Sequence, residues 1–140
     1  MSLDILKISY IKKNAMNDEK EKLKEPIELF GYECGEGWYP LIKEAQDLLD
    51  GYNNSHPYEM PLEFVQVKEK WGVLNIYLNR YPEGIHTKIW EIEEKSYDTC
   101  EFCGAKGATT KSTHGWIMTL CDKCREEEIN RYNKRLGIEN

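Results

Sequence analysis

Apolar residues in the first half of the chain recur at three- and four-residue steps. They are Trp38, Leu41, Ile42, Ala45, Leu48, Leu49 and Tyr52. This spacing predicts one amphipathic helix whose apolar stripe packs into a core. Pro40 suits the first turn of that helix, where no amide hydrogen is needed. Gly51 and the polar residues after it predict where the helix ends.

The stretch from Leu62 to Arg80 has a shorter period, typical of a β-hairpin. Phe64–Lys68 and Val73–Leu78 are rich in β-branched and aromatic residues. Gly72 supplies the turn between them. Alternation gives one apolar and one mixed face: Leu74, Ile76 and Leu78 against Val73, Asn75, Tyr77 and Asn79. The mixed face is therefore open to a ligand or a partner.

The C-terminal part is predicted to contain a helix, two short strands and a second helix. Residues 83–98 are predicted to be helical and lead into Cys100. Short strands are predicted at Ala108–Thr113 and Trp116–Leu120, followed by a helix over Arg125–Leu136 that Gly137 ends. The predicted fold class is α+β, with a helix on a short antiparallel hairpin or small sheet and a C-terminal four-cysteine module.

The chain of 140 residues is long enough for one domain, or for a small domain with a metal module. We predict an N-terminal extension over residues 1–34 that is helical or mobile. Residues 35–99 are predicted to form the α+β core. Residues 100–140 are predicted to form a zinc-binding module with a C-terminal helix.

Four of the five cysteines form the pattern Cys100-x2-Cys103-x17-Cys121-x2-Cys124. Two CxxC knuckles separated by a hairpin-sized insert supply four thiolates for a tetrahedral zinc ion. A closed four-thiolate shell leaves no open coordination position, so one structural zinc is expected. A treble clef has this same order of elements: a knuckle, a hairpin, and a second knuckle at the start of a helix.

Disulfides and a redox motif are the alternatives for these cysteines. The chain starts MSLDILKIS, without a signal-peptide pattern, and lacks an apolar run of about 18 residues and a lipidation motif. A cytoplasmic protein without membrane association is expected, where metal binding is favoured over disulfides. The fifth cysteine, Cys34, is predicted to be a partly buried free thiol, because a nucleophile would need a nearby base.

The distribution of charge along the chain bears on whether the protein binds nucleic acid. The formal net charge is −6, with about +1 in residues 1–25, −8 in residues 26–99 and +1 in residues 100–140. DNA binding needs a positive field that releases counterions from phosphates. A local basic face on the last helix is left open by four residues: Arg125, Arg131, Lys134 and Arg135. The neighbouring glutamates 126–128 largely offset it.

Three blocks of sequence resemble a family of small bacterial and phage proteins. They are GEGWYPLI at 35–42, VKEKWGVL at 67–74, and TCEFCG at 99–104 with GWIMTLC at 115–121. The family layout is GxGWxxLI, VKEK[FW]GxL and TCExCG followed by GWxxTLC. The resemblance covers roughly residues 35–124 and implies a zinc-tailed fold and a phage setting. It implies no activity and no catalytic residue.

A poorer resemblance is to HNH nucleases, which use a ββα metal unit often braced by CxxC pairs. A nuclease site of that kind needs a histidine base and further polar ligands for a divalent ion. The insert from Gly104 to Leu120 contains His114 but no aspartate or glutamate. A working HNH site is therefore not expected, and we predict that the protein is not an enzyme.

Three functions remain open on the sequence alone. The first is a binding protein braced by zinc, whose partner is another protein, with four aromatic residues as candidate contacts: Tyr39, Trp71, Tyr77 and Trp116. At least half of these are expected to fill the core instead. The second is a binder of a small anionic, nucleotide-like ligand, and the third is a nucleic-acid-binding zinc ribbon. The candidate ligand- or partner-binding residues on the hairpin are Lys68, Lys70, Trp71, Asn75 and Tyr77. A homo-oligomer is also left open.

Overall fold

The structure is a computed structural model that describes residues 31–138. These residues contain three α-helices and two small sheets. The helices are α1 (Tyr39–Ser55), α2 (Ile85–Lys95) and α3 (Asp122–Arg135). The strands are β1 (Tyr32–Glu33), β2 (Phe64–Lys70), β3 (Val73–Leu78), β4 (Thr109–Thr113) and β5 (Trp116–Leu120). The predicted α+β class is confirmed.

The larger core lies between one face of the first sheet and the helices α1 and α2. Strand order in this sheet is β1-β2-β3, with β2 antiparallel to β3. Val67 pairs with Ile76, and both side chains are buried on the helix side. The predicted stripe of α1 reaches the same core through Leu41, Ile42, Ala45 and Leu49. The helix prediction and the assignment of the two hairpin faces are therefore confirmed.

The helix α1 ends within the polar cluster that predicts its end. It passes through Gly51 and stops at Ser55. The side chain of Asn53 then fixes the following loop, because it donates to the Leu62 carbonyl (3.1 Å) and accepts from the Leu62 amide (2.8 Å). Asn53, one of the residues that mark the helix end, therefore also anchors the return of the chain to β2.

The strand β3 is an edge strand, yet side chains satisfy its outward amides. The amide of Leu74 donates to Ser96 Oγ (3.0 Å), that of Ile76 to Glu93 Oε2 (2.8 Å) and that of Leu78 to the Tyr81 hydroxyl (2.9 Å). Unpaired edge amides ordinarily invite another strand. Because these three amides are already hydrogen-bonded, they are not free to pair with a further strand.

The short strand β1 falls inside the segment that we assigned to an N-terminal extension. Tyr32 pairs with Val67 and Glu33 with Lys68, both in parallel register. Two residues are too few to show strand periodicity in a sequence. The rest of that segment, residues 1–30, lies outside the described residues, and so does its predicted helical character.

The C-terminal module consists of a first knuckle at residues 100–104, the β4–β5 hairpin and α3. Strands β4 and β5 pair antiparallel from Thr109↔Leu120 to Thr113↔Trp116. Helix α3 begins at Asp122 rather than at the predicted Arg125. The reason is that Cys121 acts as its N-cap and accepts the Cys124 amide through its sulfur.

Arg125 fastens α3 to this hairpin. Its guanidinium donates to the Thr109 carbonyl and the Thr113 hydroxyl, and also to the Leu120 carbonyl at 3.1 Å. The residue is only 7% exposed. The basic face that nucleic-acid binding would require therefore lacks Arg125, because backbone carbonyls and hydroxyls already hold its charge.

The core and the C-terminal module meet at two tight joints. At the first, the Gly37 amide donates to the Glu101 carbonyl (2.7 Å), and the buried Trp38 indole donates to the Thr99 carbonyl (2.7 Å). A Cβ on Gly37 would lie 2.6 Å from the Glu101 oxygen and the Gly104 nitrogen, and closer still to the Cys100 oxygen. The backbone at residue 37 must therefore be glycine.

At the second joint, the β2–β3 turn rests on the β4–β5 hairpin. The buried hydroxyl of Thr119 donates to the Gly72 carbonyl at 2.6 Å. A Cβ on Gly72 would come within 3.1 Å of Ile117 Cγ2 and 3.2 Å of Thr110 Cγ2. The tip of the first hairpin is thereby held against the strands of the second.

We predict opposite effects for two glycine-to-alanine substitutions. Gly37→Ala should lower the free energy of unfolding by about 3 kcal/mol, because its methyl group meets rigid backbone atoms. Gly51→Ala, in α1 with open space around it, should raise that free energy by about 0.5–1 kcal/mol. Denaturant unfolding of both variants measures this. Equal effects of the two substitutions would show that the first joint is not tightly packed.

Candidate metal centre and tryptophan groove

The four predicted ligands come together at the start of the C-terminal module. Their sulfur atoms all lie within 4.8 Å of one another, and Cys103 Sγ is 3.7 Å from Cys121 Sγ. Cys100 and Cys124 are buried, while Cys103 is exposed. Two knuckles from sequence-distant turns thus converge on one point, and the four cysteines are positioned to bind a metal ion.

Backbone amides prepare these sulfurs for a cation. The amide of Cys103 approaches Cys100 Sγ at 3.5 Å, and that of Cys124 approaches Cys121 Sγ at 3.4 Å. Burial opposes ionisation of Cys100, but the amides of Cys103, Cys121 and Phe102 outweigh it and lower its pKa from 9.0 to about 7. Burial, followed by the neighbouring sulfurs, raises the pKa of Cys124. A bound cation would relieve the repulsion among these thiolates.

Cys34 is the partly buried free thiol that the sequence predicts. It packs against the larger core. Burial, and then the charges of Glu101 and Glu69, raise its pKa to about 12. A thiol with so high a pKa is a poor nucleophile at neutral pH.

His114, the residue considered for a nuclease site, is committed to packing within the module. Its ring stacks on Tyr132 at 4.1 Å between centroids, and its Nε2 lies 2.8 Å from Glu128 Oε2. Burial alone would raise the pKa of Glu128, but hydrogen bonds from His114 and Arg131 outweigh it and lower that pKa. The His114 side chain is only 8% exposed. This pairing with α3, which sequence spacing did not indicate, withdraws the ring from solvent.

The predicted binding residues of the hairpin separate into two groups. Lys68 pairs with Asn75 and Lys70 with Val73, on the sheet face turned away from the helices. Lys68, Lys70 and Trp71 line one groove at the turn. Asn75 lies farther along the face, where its amide donates to the Val73 carbonyl, and the exposed Tyr77 lies beyond it. The structure therefore does not bring Asn75 and Tyr77 into the groove.

The groove, which we call the tryptophan groove, has a volume of about 270 Å³ and draws on both hairpins. Its lining residues are Lys68, Glu69, Lys70, Trp71, Trp116 and Ile117. Trp71 and Trp116 are 70% and 69% exposed. Sequence reasoning named Trp116 only as an exposed aromatic and missed Ile117. The sequence does not indicate that either residue lies beside the first hairpin, because this proximity depends on the contact of Gly72 with the second hairpin.

The four candidate aromatic contacts are all exposed, so the expectation that at least half fill the core is wrong. They are Tyr39, Trp71, Tyr77 and Trp116. Trp38 occupies the core position at the joint instead, and its neighbour Tyr39 points outward with the first turn of α1. The two hairpin tryptophans sit at or next to turns, where no further layer covers them.

Trp71 also adopts a backbone conformation that tryptophan disfavours. Its φ is +56° and that of Gly72 is +82°, the pattern of a type I′ turn. Asn-Gly is the usual sequence for such a turn, because asparagine tolerates positive φ. The Trp71 side chain is therefore largely exposed and held on a strained backbone.

Comparisons with protein-family models, with curated proteins and with solved structures gave no match. Among residues 31–138, no helix has the length and apolar character needed to cross a membrane. The same residues hold one group of three or more histidine, cysteine or acidic side chains with metal-binding spacing, the four cysteines. The cysteine cluster and the tryptophan groove are therefore the features of this chain that bear on its function.

We predict that Cys100→Ser abolishes metal binding and unfolds the C-terminal module, because three thiolates cannot close the shell around the ion. Cys34→Ser is the matched control, and it should retain one metal ion per chain. Elemental analysis and far-UV circular dichroism measure the two effects. A metal-free Cys100→Ser protein with an unchanged spectrum and melting temperature would refute the structural role of the metal.

We also predict that Trp71→Asn stabilises the protein. The substitution should raise the free energy of unfolding by about 1 kcal/mol, because asparagine relieves the strain at positive φ and little buried area is lost. Denaturant unfolding at constant metal content checks this. A decrease in stability would mean that the indole contributes packing that outweighs its backbone strain.

Proposed function

We propose that this chain is a non-enzymatic binding protein, braced by one structural zinc ion, that engages another protein through the tryptophan groove. The observation that supports it most strongly is the pair of tryptophans, Trp71 and Trp116, exposed on adjacent hairpin tips. Tryptophan is enriched among the residues that dominate binding energy at protein interfaces. A phage setting, implied by the sequence resemblance, would make a host protein the natural partner.

The choice of zinc rests on the donor set and its spacing. Four thiolates favour zinc over the harder cations calcium and magnesium. Zinc–sulfur bonds of about 2.3 Å in a tetrahedron give sulfur–sulfur edges of about 3.8 Å. The 3.7 Å separation of Cys103 and Cys121 matches that edge. Cys100, Cys103, Cys121 and Cys124 would hold the ion, which supplies folding energy and no open position for chemistry.

Zinc and the groove are connected through the C-terminal module. Trp116 and Ile117 belong to β5, whose last residue directly precedes the ligand Cys121. The Glu101 amide also donates to the Thr119 carbonyl at 3.0 Å, which ties the first knuckle to the same strand. Zinc would therefore hold one wall of the groove in place, while the β2–β3 hairpin supplies the other.

A small anionic ligand is the second candidate, and Lys68 and Lys70 are the observation that favours it. Small-molecule sites are mostly apolar clefts that bury the greater part of the ligand. The tryptophan groove is also mainly apolar, but it opens to solvent between the two hairpins. That shape suits a side chain or short segment of a partner protein better than a freely diffusing nucleotide.

The test is capture of a partner by tagged protein from cells that express it. Trp71→Ala/Trp116→Ala should reduce recovery of the captured protein more than about tenfold, because two central aromatic contacts are removed. Trp90→Ala is the matched control, since Trp90 is 54% exposed on α2 and does not line the groove. Zinc content and melting temperature are measured for all three proteins.

Native mass spectrometry of the purified protein separates the candidates. A protein partner lost only from the groove variant supports the proposal. A retained mass of a few hundred daltons that disappears from the same variant would establish the small-ligand alternative instead. Equal capture by all three proteins would show that the groove does not bind the partner.

A further inference from the structure

We propose that the partner segment bound in the tryptophan groove is acidic, with an apolar or aromatic side chain flanked by aspartate or glutamate. This inference rests on the proposed protein-binding function and names the chemistry of the partner. It is argued from the charges around the groove. The apolar side chain would lie against Trp71, Trp116 and Ile117, and the flanking carboxylates would meet Lys68 and Lys70.

Lys68 and Lys70 have no ion-pair partner among residues 31–138, and neither have seven other lysines and arginines there; these two differ from the seven because both line the groove. Four other basic side chains there pair with carboxylates: Lys43 with Asp47, Arg80 with Glu59, Lys95 with Glu44 and Arg131 with Glu128. Lys68 and Lys70 remain unpaired although acidic residues outnumber basic ones in the chain, 25 to 19. Two adjacent unpaired cations beside exposed tryptophans form a positive, apolar surface.

The acidic residues beside these lysines in the sheet accept hydrogen bonds from other groups. Glu33 is the register neighbour of Lys68, but its Oε1 accepts from Gln66 Nε2 at 2.9 Å. Glu69 lines the groove, but it pairs in register with the buried Leu74, so its side chain leaves the opposite face of β2. Its Oε2 accepts from the Gly72 amide at 2.8 Å. Neither carboxylate forms an ion pair with Lys68 or Lys70.

A protein segment fits this surface better than a nucleic acid does. Two lysines can meet a pair of carboxylates, whereas binding along a nucleic acid requires many cations. Residues 26–99, which carry the first hairpin, have a net charge of about −8 and would repel a long polyanion. The polar side chains that line the groove are Lys68, Glu69 and Lys70, a set with few groups to read base edges.

The experiment uses the full-length zinc-loaded protein and a matched set of fluorescein-labelled nine-residue peptides. Each peptide has a central leucine, phenylalanine or tryptophan, flanked by acidic, by neutral amide or by basic residues. Fluorescence anisotropy should show acidic peptides binding about fivefold more tightly than neutral ones at low salt. The difference should shrink at high salt because the lysines are exposed to solvent.

Variants assign this preference to the lysine pair. Lys68→Gln/Lys70→Gln should bind acidic and neutral peptides equally. Lys88→Gln/Lys134→Gln removes the same charge from exposed positions on α2 and α3 and should retain the fivefold preference. Equal binding of acidic and neutral peptides by the wild-type protein would overturn the inference. So would a preference that survives in Lys68→Gln/Lys70→Gln, or the failure of every peptide to bind.

The outcomes also separate this inference from the proposed function. Neutral peptides that bind wild-type protein but not Trp71→Ala/Trp116→Ala would leave the protein-binding function standing and overturn only the acidic preference. Adenosine monophosphate and a short thymidine oligonucleotide serve as probes of the other ligand classes. If either binds through the tryptophans and no peptide does, both the inference and the proposed function are wrong.

Discussion

The contact between Gly37 and the first cysteine knuckle is the constraint on which the rest of the structure depends. A backbone segment with no side chain lies directly against the carbonyls of Cys100 and Glu101, and Glu101 Oε2 also accepts the Gly35 amide at 2.9 Å. Hydrogen bonds at such short range fix both position and rotation of the knuckle. The C-terminal module therefore docks on the core in one orientation. The hydrogen bond of the buried Trp38 indole, next to Gly37, stabilises the same orientation.

The orientation of the C-terminal module determines how the two hairpins lie against each other. With the knuckle fixed, β5 runs back toward the β2–β3 turn, and the hydroxyl of Thr119 reaches the Gly72 carbonyl. Two turns that are 45 residues apart in sequence, at Trp71 and Trp116, then border one groove. Neither hairpin could form this surface alone, because each supplies only one tryptophan and one wall.

The sequence predicted the parts of this molecule that follow from local pattern. The stripe of α1, the hairpin faces and the cysteine spacing each carry a period or an interval that physical chemistry interprets directly. Features that depend on docking could not be predicted in this way. Arg125 looked like a surface cation, and only the packing of α3 on the hairpin shows that it is buried. Similarly, Ile117 gave no sign of its place in the groove.

Prediction of turns was limited for a related reason. Gly51 and the polar cluster after it indicated the end of α1, which lies at Ser55, but not the hydrogen bonds by which Asn53 fixes the following loop at Leu62. Trp71 occupies a position where local preference calls for asparagine. Predictions from local preference are expected to fail at functional or strained positions, and Trp71 is such a position.

The side chains that hydrogen-bond to the edge of β3 bear on the tendency of this molecule to aggregate. A protein that exposes two tryptophans and a mixed sheet face is at risk of aggregation, and an open strand edge would add a nucleus for cross-β growth. Ser96, Glu93 and Tyr81 occupy that edge with hydrogen bonds contributed from α2 and its flanks. On that side of the sheet, contacts with other molecules must use side chains rather than backbone, which favours selective recognition over indiscriminate self-association.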